Sequence, residues 1–129
     1  MTERFGLPDE ALFAETAWGL LTQRVAATPD ALFARDEAGA SLTFAAYAER
    51  AERVAAGLSS RGIGTGTPVS WILPTTLDAL VLCAALSRLG AVQNPILPIY
   101  RKREVGFATG QTGAQWLFVP SQWRGFDYE

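Results

Sequence analysis

The sequence predicts an α/β fold made of layered βαβ units around a mostly parallel sheet, with an N-terminal hairpin. The main observation is a strand, helix and strand pattern over residues 68–99. The helix in this pattern, at residues 76–89, is apolar on nearly every face, so it must be covered on more than one side. Such a βαβ crossover is expected to be right-handed with parallel strands. With 49% hydrophobic residues among 129, the chain has the composition of one compact domain.

Composition excludes several kinds of site. The formal net charge of −2 gives no general attraction to nucleic acid or to an anionic membrane surface. The sequence has no histidine and one cysteine, so it offers neither a histidine base nor a zinc cluster. That cysteine, Cys83, lies among aliphatic residues, where we expect a packed and unreactive thiol. No catalytic, cofactor-binding or metal-binding residue is predicted.

The sequence also bears on location. The N-terminus lacks the basic region and apolar run of a signal peptide. The apolar helix is shorter than the roughly 18 to 20 residues needed to span a bilayer. We therefore expect a cytoplasmic protein with no transmembrane segment and no nucleic-acid partner.

The first third of the chain reads as a helix followed by a hairpin. The helix is predicted at residues 16–27, where apolar side chains are spaced to share one face. It ends before Pro29, because the residue before a proline avoids the helical conformation. Two strands follow at residues 31–35 and 41–44, and the glycine between them indicates a hairpin.

A long amphipathic helix is predicted next, at residues 44–60, with Thr43 as its N-cap. Its apolar residues follow the i, i+3, i+4, i+7 spacing of a buried stripe. Glu49 and Arg53 are four residues apart and should form an exposed ion pair. Gly62 then ends the helix.

The glycines within residues 61–68 suggest a phosphate-binding loop, but their position does not fit one. A nucleotide-binding glycine loop follows a strand and begins a helix, so that helical N–H groups face the phosphate. Here the glycines follow a helix and precede the strand at residues 68–73. We interpret them as a turn that tolerates positive φ.

The central helix has clear start and stop signals. Thr75 and Thr76, with Asp78, resemble a capping box at its start. Gly90 ends it, and residues 91–96 form the second strand of the crossover.

One more helix, at residues 101–111, and a strand at 115–119 complete the predicted α/β pattern. Three basic residues begin this helix: Arg101, Lys102 and Arg103. Cations are unfavourable at a helix N-terminus unless an anion is present, so a phosphate or carboxylate contact is one interpretation. A solvated positive edge beside Glu104 is the other. The aromatic residues Trp123, Phe126 and Tyr128 are similarly open to two interpretations, a partner site or burial by further chain.

Five short motifs occur in a recognisable order: Leu42-Thr43-Phe44 with Tyr47, residues 58–62 with Gly66 and Val69, Leu73-Pro74, Leu89-Gly90-Ala91-Val92 with Pro95, and Arg103-Glu104. In this order and spacing they resemble the N-terminal part of the adenylate-forming (AMP-forming) acyl-CoA synthetase, or fatty-acid–CoA ligase, family. The resemblance covers about residues 18–119. Residues 94–101 and 123–128 are most similar to the branch that acts on medium-chain, cyclic or fatty carboxylates. Thr67 and Thr75 stand where aspartate and asparagine are common, and neither position is catalytic in the family.

The resemblance implies a reaction and a domain arrangement. Members of the family convert a carboxylic acid, ATP and coenzyme A into acyl-CoA, AMP and diphosphate through an acyl-adenylate, with Mg²⁺. Residues 16–120 would be part of the N-terminal α/β domain of such a ligase, after a tail at residues 1–15. Residues 121–129 would lead to the remainder of the same polypeptide, which carries the family's phosphate-binding loop, ribose-binding aspartate and adenylation lysine. The fragment alone is expected to be inactive and to bind none of these cofactors.

Candidate substrate contacts follow from the sheet. Open α/β sheets bind ligands near the carboxyl ends of their parallel strands. The residues predicted nearest to that edge are Thr75, Thr76, Asn94, Pro95 and Tyr100. Turn and cap roles for these same residues are the alternative.

Two functions stay open at this stage. The first is an N-terminal segment of an acyl-CoA synthetase whose reading frame continues into a glycine-rich phosphate loop. The second is a stand-alone, non-catalytic α/β module that binds a protein or an anion through its basic residues and aromatic end. The sequence does not distinguish coenzyme A from a carrier protein as acyl acceptor, or a monomer from a homodimer.

Overall fold

The computed structural model describes residues 14–128. Its elements are α1 (Ala17–Ala27), β1 (Leu32–Arg35), β2 (Ser41–Thr43), α2 (Phe44–Ser59), β3 (Pro68–Trp71), α3 (Leu77–Leu89), β4 (Val92–Pro95), α4 (Lys102–Thr112), β5 (Trp116–Phe118), β6 (Gln122–Trp123) and β7 (Phe126–Asp127). Every predicted helix and strand is present, with ends that differ by no more than two residues. The predicted tail at residues 1–15 lies outside the described residues, except for residues 14 and 15.

The central sheet has three parallel strands in the order β4-β3-β5. Ser70 of β3 lies opposite Asn94 of β4 on one side and opposite Leu117 of β5 on the other. The parallel pairing of β3 with β4 confirms the strand, helix and strand unit predicted around α3. The hairpins β1–β2 and β6–β7 form two separate antiparallel pairs. The predicted fold class, α/β with a mostly parallel sheet and an N-terminal hairpin, is confirmed.

Helix α3 is central because two apolar clusters share it. On one side Ala85 packs against Ala51 of α2, and both are fully buried, so small side chains let the two helices approach closely. On the other side Leu82 and Leu86 pack with Val69 of β3. Although α3 is strongly apolar it has only 13 residues, and no helix among residues 14–128 is both long and apolar enough to cross a membrane.

Threonine side chains cap α2 and α3, as predicted. The Ala46 N–H donates to Thr43 Oγ1 at 3.1 Å, and the Ala79 N–H donates to Thr76 Oγ1 at 3.2 Å. The prediction that Asp78 completes a capping box was wrong. Asp78 is the second residue of α3, one position too early for that contact, and its carboxylate accepts a hydrogen bond from Arg50 of α2 at 2.6 Å.

The turn after α3 requires glycine. Gly90 has a φ of 70°, and its carbonyl accepts a hydrogen bond from the Gly66 N–H at 2.8 Å. A Cβ at Gly90 would lie 3.3 Å from Thr65 Oγ1. Gly62 and Gly66 also have positive φ, which confirms the turn interpretation of this glycine segment.

Gly90→Ala should lower the free energy of unfolding by about 1–2 kcal/mol, because alanine is strained in the left-handed region. Denaturant unfolding measures this change. Gly64→Ala is the matched control: Gly64 has no positive φ, and nothing lies within 4 Å of an added Cβ. The control should be neutral or slightly stabilising. Equal destabilisation by both substitutions would contradict the assigned strain.

Candidate functional site

The carboxyl end of the central sheet carries two depressions on either side of one chain segment. Because β3 and β4 are parallel, both strands end at this edge. The first, called here the α4 depression, has a volume of about 710 Å³ and is lined by Asn94, Pro95, Ile96, Leu97, Tyr100, Arg103, Glu104, Phe107 and Ala108. The second, the hairpin depression, has a volume of about 750 Å³ and is lined by Glu37, Trp71, Leu73, Pro74, Thr75, Thr76, Pro95, Ile96, Leu97, Pro98, Trp123 and Arg124. Residues 95–97 line both.

The five predicted substrate contacts lie around this edge in two groups. Asn94, Pro95 and Tyr100 line the α4 depression. Thr75 and Thr76 line the hairpin depression, together with Pro95. The fold therefore places Thr75 in the same depression as Pro95, which is 20 positions away in the sequence. Contact of all five residues with a substrate stays a prediction.

Two of these side chains also stabilise the edge itself. Asn94 Nδ2 donates to Ser70 Oγ at 3.1 Å, and Ser70 is fully buried. Since a buried hydroxyl without a partner costs free energy, this bond keeps the end of the sheet intact. Thr76 is the N-cap of α3. The turn and cap roles considered for these residues are thus present in the structure.

The three basic residues at the start of α4 have different surroundings. Arg101 is engaged within the chain: its Nη1 donates to the carbonyls of Pro98 and Tyr100 at 2.8 and 2.9 Å. Lys102 lies apart from both depressions, whereas Arg103 lines the α4 depression. The anion contact predicted for Arg101, Lys102 and Arg103 stays a prediction, and Arg103 is the member that faces the candidate site.

Several lining residues were not predicted from the sequence. Leu97 and Phe107 leave 58% and 71% of their surfaces exposed, which is high for apolar side chains. Trp123 and Arg124 reach the site because residues 122–127 form a hairpin. Its two turn residues, Arg124 and Gly125, have φ values of 47° and 77°. The sequence does contain a signal for this hairpin, because Arg124 and Gly125 lie between the aromatic residues Trp123 and Phe126. The signal is weak because arginine is uncommon in such turns.

A third cavity, of about 470 Å³, lies between α1, α2 and α3 and is mainly apolar. Tyr47 lines it, stacks on Phe33 at a ring distance of 4.0 Å, and donates its hydroxyl to the Leu80 carbonyl at 2.8 Å. Burial, and secondarily the nearby Cys83 thiol, raise the pKa of Tyr47 to about 12. Burial likewise raises the pKa of Cys83, whose Sγ lies 3.2 Å from Gln93 Oε1. Cys83 is half-buried and lines this cavity, and its raised pKa favours the protonated, less reactive thiol.

The free energy of unfolding should fall as the pH rises through the interval from 10 to 12, because the pKa of Tyr47 is about 12 in the folded chain and 10.0 ordinarily. Below this interval the phenol is neutral in both states. Within it the unfolded chain loses its proton first, which favours unfolding. Denaturant unfolding at a series of pH values measures the slope. Tyr47→Phe should flatten it, and an unchanged slope in that variant would contradict the assignment.

Among residues 14–128, no group of three or more histidine, cysteine, aspartate or glutamate side chains is placed to hold a metal ion. In the glycine turn before β3, the Gly66 N–H is bonded to the Gly90 carbonyl and is therefore not free to meet a phosphate.

Comparison with known proteins identifies the family. The model of the AMP-binding enzyme family matches residues 21–127. The chain belongs to the AMP-binding enzyme family. Its members are adenylate-forming ligases that include fatty-acid–CoA ligases and NRPS adenylation domains. The family resemblance inferred from the short motifs is therefore confirmed.

Individual relatives agree with this membership. The chain is 30% identical over 99 residues to the medium-chain fatty-acid–CoA ligase of Escherichia coli, covering 77% of this chain and 18% of that protein. It is 37% identical over 90 residues to triostin synthetase I of Streptomyces triostinicus, covering 70% of this chain and 17% of that protein. The chain thus spans less than a fifth of the length of these two relatives.

A solved structure has the same fold. The N-terminal subdomain of Klebsiella oxytoca NpsA, in complex with 3-hydroxybenzoyl-AMSN, superimposes with a TM-score of 0.81 and 18% sequence identity. The match covers 89% of this chain and 29% of the NpsA chain. The predicted position in the N-terminal portion of an adenylate-forming enzyme is therefore confirmed for the fold.

Proposed function

We propose that this chain forms the N-terminal part of an AMP-forming acid–thiol ligase. The ligase joins a carboxylic acid to ATP, giving an acyl-adenylate and diphosphate. It then transfers the acyl group to the thiol of coenzyme A, which releases AMP. The proposed substrate is a medium-chain, cyclic or fatty carboxylic acid. Such an enzyme uses the ATP and coenzyme A of the cytoplasm, where we place it.

The observation that carries this proposal is the character of the α4 depression. Its walls are largely apolar, with Ile96, Leu97 and Phe107 among them, and Arg103 adds a cation. An apolar acyl body fits such walls, and a guanidinium fits a carboxylate or a phosphate. The similarity to a medium-chain fatty-acid–CoA ligase supports the same class of acid.

We assign these residues a role in shaping the acid site, and none in bond making. Adenylation needs Mg²⁺, basic side chains and backbone donors around the transferred phosphoryl group. ATP, Mg²⁺ and coenzyme A would be held by the remainder of the same polypeptide. Residues 14–128 would contribute the sheet edge, with Thr75, Thr76, Asn94, Pro95 and Tyr100 as the proposed substrate contacts. On its own the chain would be inactive.

The test of the reaction is ATP–pyrophosphate exchange by the product of the complete reading frame that contains these residues. The acids compared are a medium-chain fatty acid, an aromatic acid and a set of amino acids. We expect exchange to depend on the medium-chain or aromatic acid. Exchange with amino acids alone would contradict the proposed substrate class, and would favour peptide-synthetase chemistry.

A second assay identifies the acyl acceptor. The same protein is incubated with ATP, Mg²⁺ and the preferred acid, with and without coenzyme A, and the products are analysed by mass spectrometry. We expect an acyl-CoA product only when coenzyme A is present. Coenzyme A would be contradicted as the acceptor if diphosphate were released at the same rate with and without it and no acyl-CoA were formed.

A further inference from the structure

The segment between β4 and α4 is a turn that forms part of both depressions. The Ile96 N–H donates to the Trp71 carbonyl of β3 at 2.9 Å, which fixes the beginning of the segment. The Tyr100 N–H donates to the Leu97 carbonyl at 3.1 Å, which closes a turn over residues 97–100. Leu97 lines both depressions, while Pro98 lines one of them and Tyr100 the other. The conformation of this turn therefore sets the shape of both.

The Pro98 carbonyl is the point at which two side chains hold the turn, one from three residues away and one from 30 residues away. It accepts hydrogen bonds from Arg101 Nη1 at 2.8 Å and from the Tyr128 hydroxyl at 2.7 Å. Arg101 Nη1 also donates to the Tyr100 carbonyl at 2.9 Å. Hydrogen bonds from a charged donor are among the stronger ones in proteins.

The Arg101 guanidinium is itself held by the C-terminal hairpin. Its carbon atom lies 3.9 Å from the centroid of the Phe126 ring, within the range of a cation–π contact. Phe126 packs edge-on against Tyr128 at a ring distance of 4.7 Å. The Tyr128 N–H donates to the Ser121 carbonyl at 3.0 Å, which anchors this end of the hairpin. The guanidinium thus lies over the ring while the N–H groups of its Nη1 reach both carbonyls.

We infer that Arg101 is a positioning residue for the acid site, which fixes the turn at residues 97–100 against the hairpin β6–β7. This inference rests on the proposed function, because it takes the two depressions as the acid site. Without Arg101 the turn would have to be ordered on binding, so the affinity for the acid would fall. The role differs from the anion contact considered from the sequence, in which Arg101 would meet the ligand directly through its charge.

The decisive comparison is Arg101→Lys with Arg101→Ala in the product of the complete reading frame. Lysine keeps the charge but loses the flat face and the forked donors. We expect both variants to raise the KM for the acid by about tenfold, as for loss of a charged hydrogen bond, with little change in kcat. Arg53→Ala is the control, since Arg53 pairs with Glu49 on the exposed surface of α2 and lines neither depression, and it should leave both constants unchanged. Full rescue by lysine would overturn the positioning role and favour the anion contact.

Amide hydrogen exchange tests this inference independently of the proposed function, because it needs no enzymatic activity. In Arg101→Lys the Tyr100 amide should exchange faster than in the parent protein, while amides of α3 should exchange at the parent rate. An unchanged Tyr100 amide would overturn the inference, whatever the kinetic result. If the parent protein adenylated none of the acids, the proposed function would fail, and the exchange of this amide would then decide alone whether Arg101 fixes the turn.

Discussion

Leu86→Ala is expected to lower the free energy of unfolding by about 2–5 kcal/mol. Leu86 has no exposed surface and packs in the cluster between α3 and the central sheet. The substitution removes three buried carbon atoms and leaves a cavity that the neighbouring Ile63 and Val69 fill only in part. Denaturant unfolding of the parent and variant proteins, compared at their midpoints, measures the change.

Leu32→Ala provides the matched control for this substitution. It removes the same atoms, but from a side chain of β1 with 54% of its surface exposed. The expected loss is below about 1 kcal/mol, because few apolar contacts are removed. Comparable losses at Leu32 and Leu86 would mean that α3 is not the centre of the core.

Leu97→Asp is expected to raise the KM for the acid by at least about tenfold in the product of the complete reading frame, if the apolar edge holds the acyl group. Leu97 lines both depressions, so a carboxylate there would meet the bound acid from either side. A charge in a partly desolvated site weakens apolar binding and repels a second carboxylate. The measurement is acid-dependent ATP–pyrophosphate exchange at a series of acid concentrations.

Leu97→Asn separates the charge from the change in shape. It has nearly the same shape as the aspartate variant and carries no charge, so its KM should lie between those of the parent and Leu97→Asp. Because Leu97 is 58% exposed, both variants should unfold close to the parent midpoint. Unchanged KM values in both variants would place the acid elsewhere on the protein.

Much of the fold was predictable because its signals are local. The apolar run of α3, the threonines that begin α2 and α3, and the glycine that ends α3 each act within a few residues of the chain. The parallel pairing of β3 and β4 follows from a short crossover, since a helix between two strands returns the chain in the same direction. The grouping of Thr75 and Thr76 near Pro95 follows from the same rule, because all three lie at the carboxyl ends of parallel strands.

The remaining features depend on contacts between distant residues. Strand β5 pairs with β3 and not with β4, and no local pattern encodes that order. The Arg101 guanidinium lies over the ring of Phe126, 25 residues further along, so the sequence showed only a basic residue at a helix start. Asp78 had two compatible partners, the helix N-terminus and Arg50, and only the packing of α2 on α3 decides between them. The two depressions arise from these contacts together.

The most direct test of the acid site is photoaffinity labelling with a medium-chain acid that carries a diazirine near the end of its chain. The product of the complete reading frame is irradiated with this acid, ATP and Mg²⁺, digested, and mapped by mass spectrometry. We expect adducts within residues 94–107, suppressed by an excess of the unlabelled acid. Competed adducts found only on residues that line neither depression, for example around the apolar cavity beside Tyr47, would contradict the assignment of the sheet edge as the acid site.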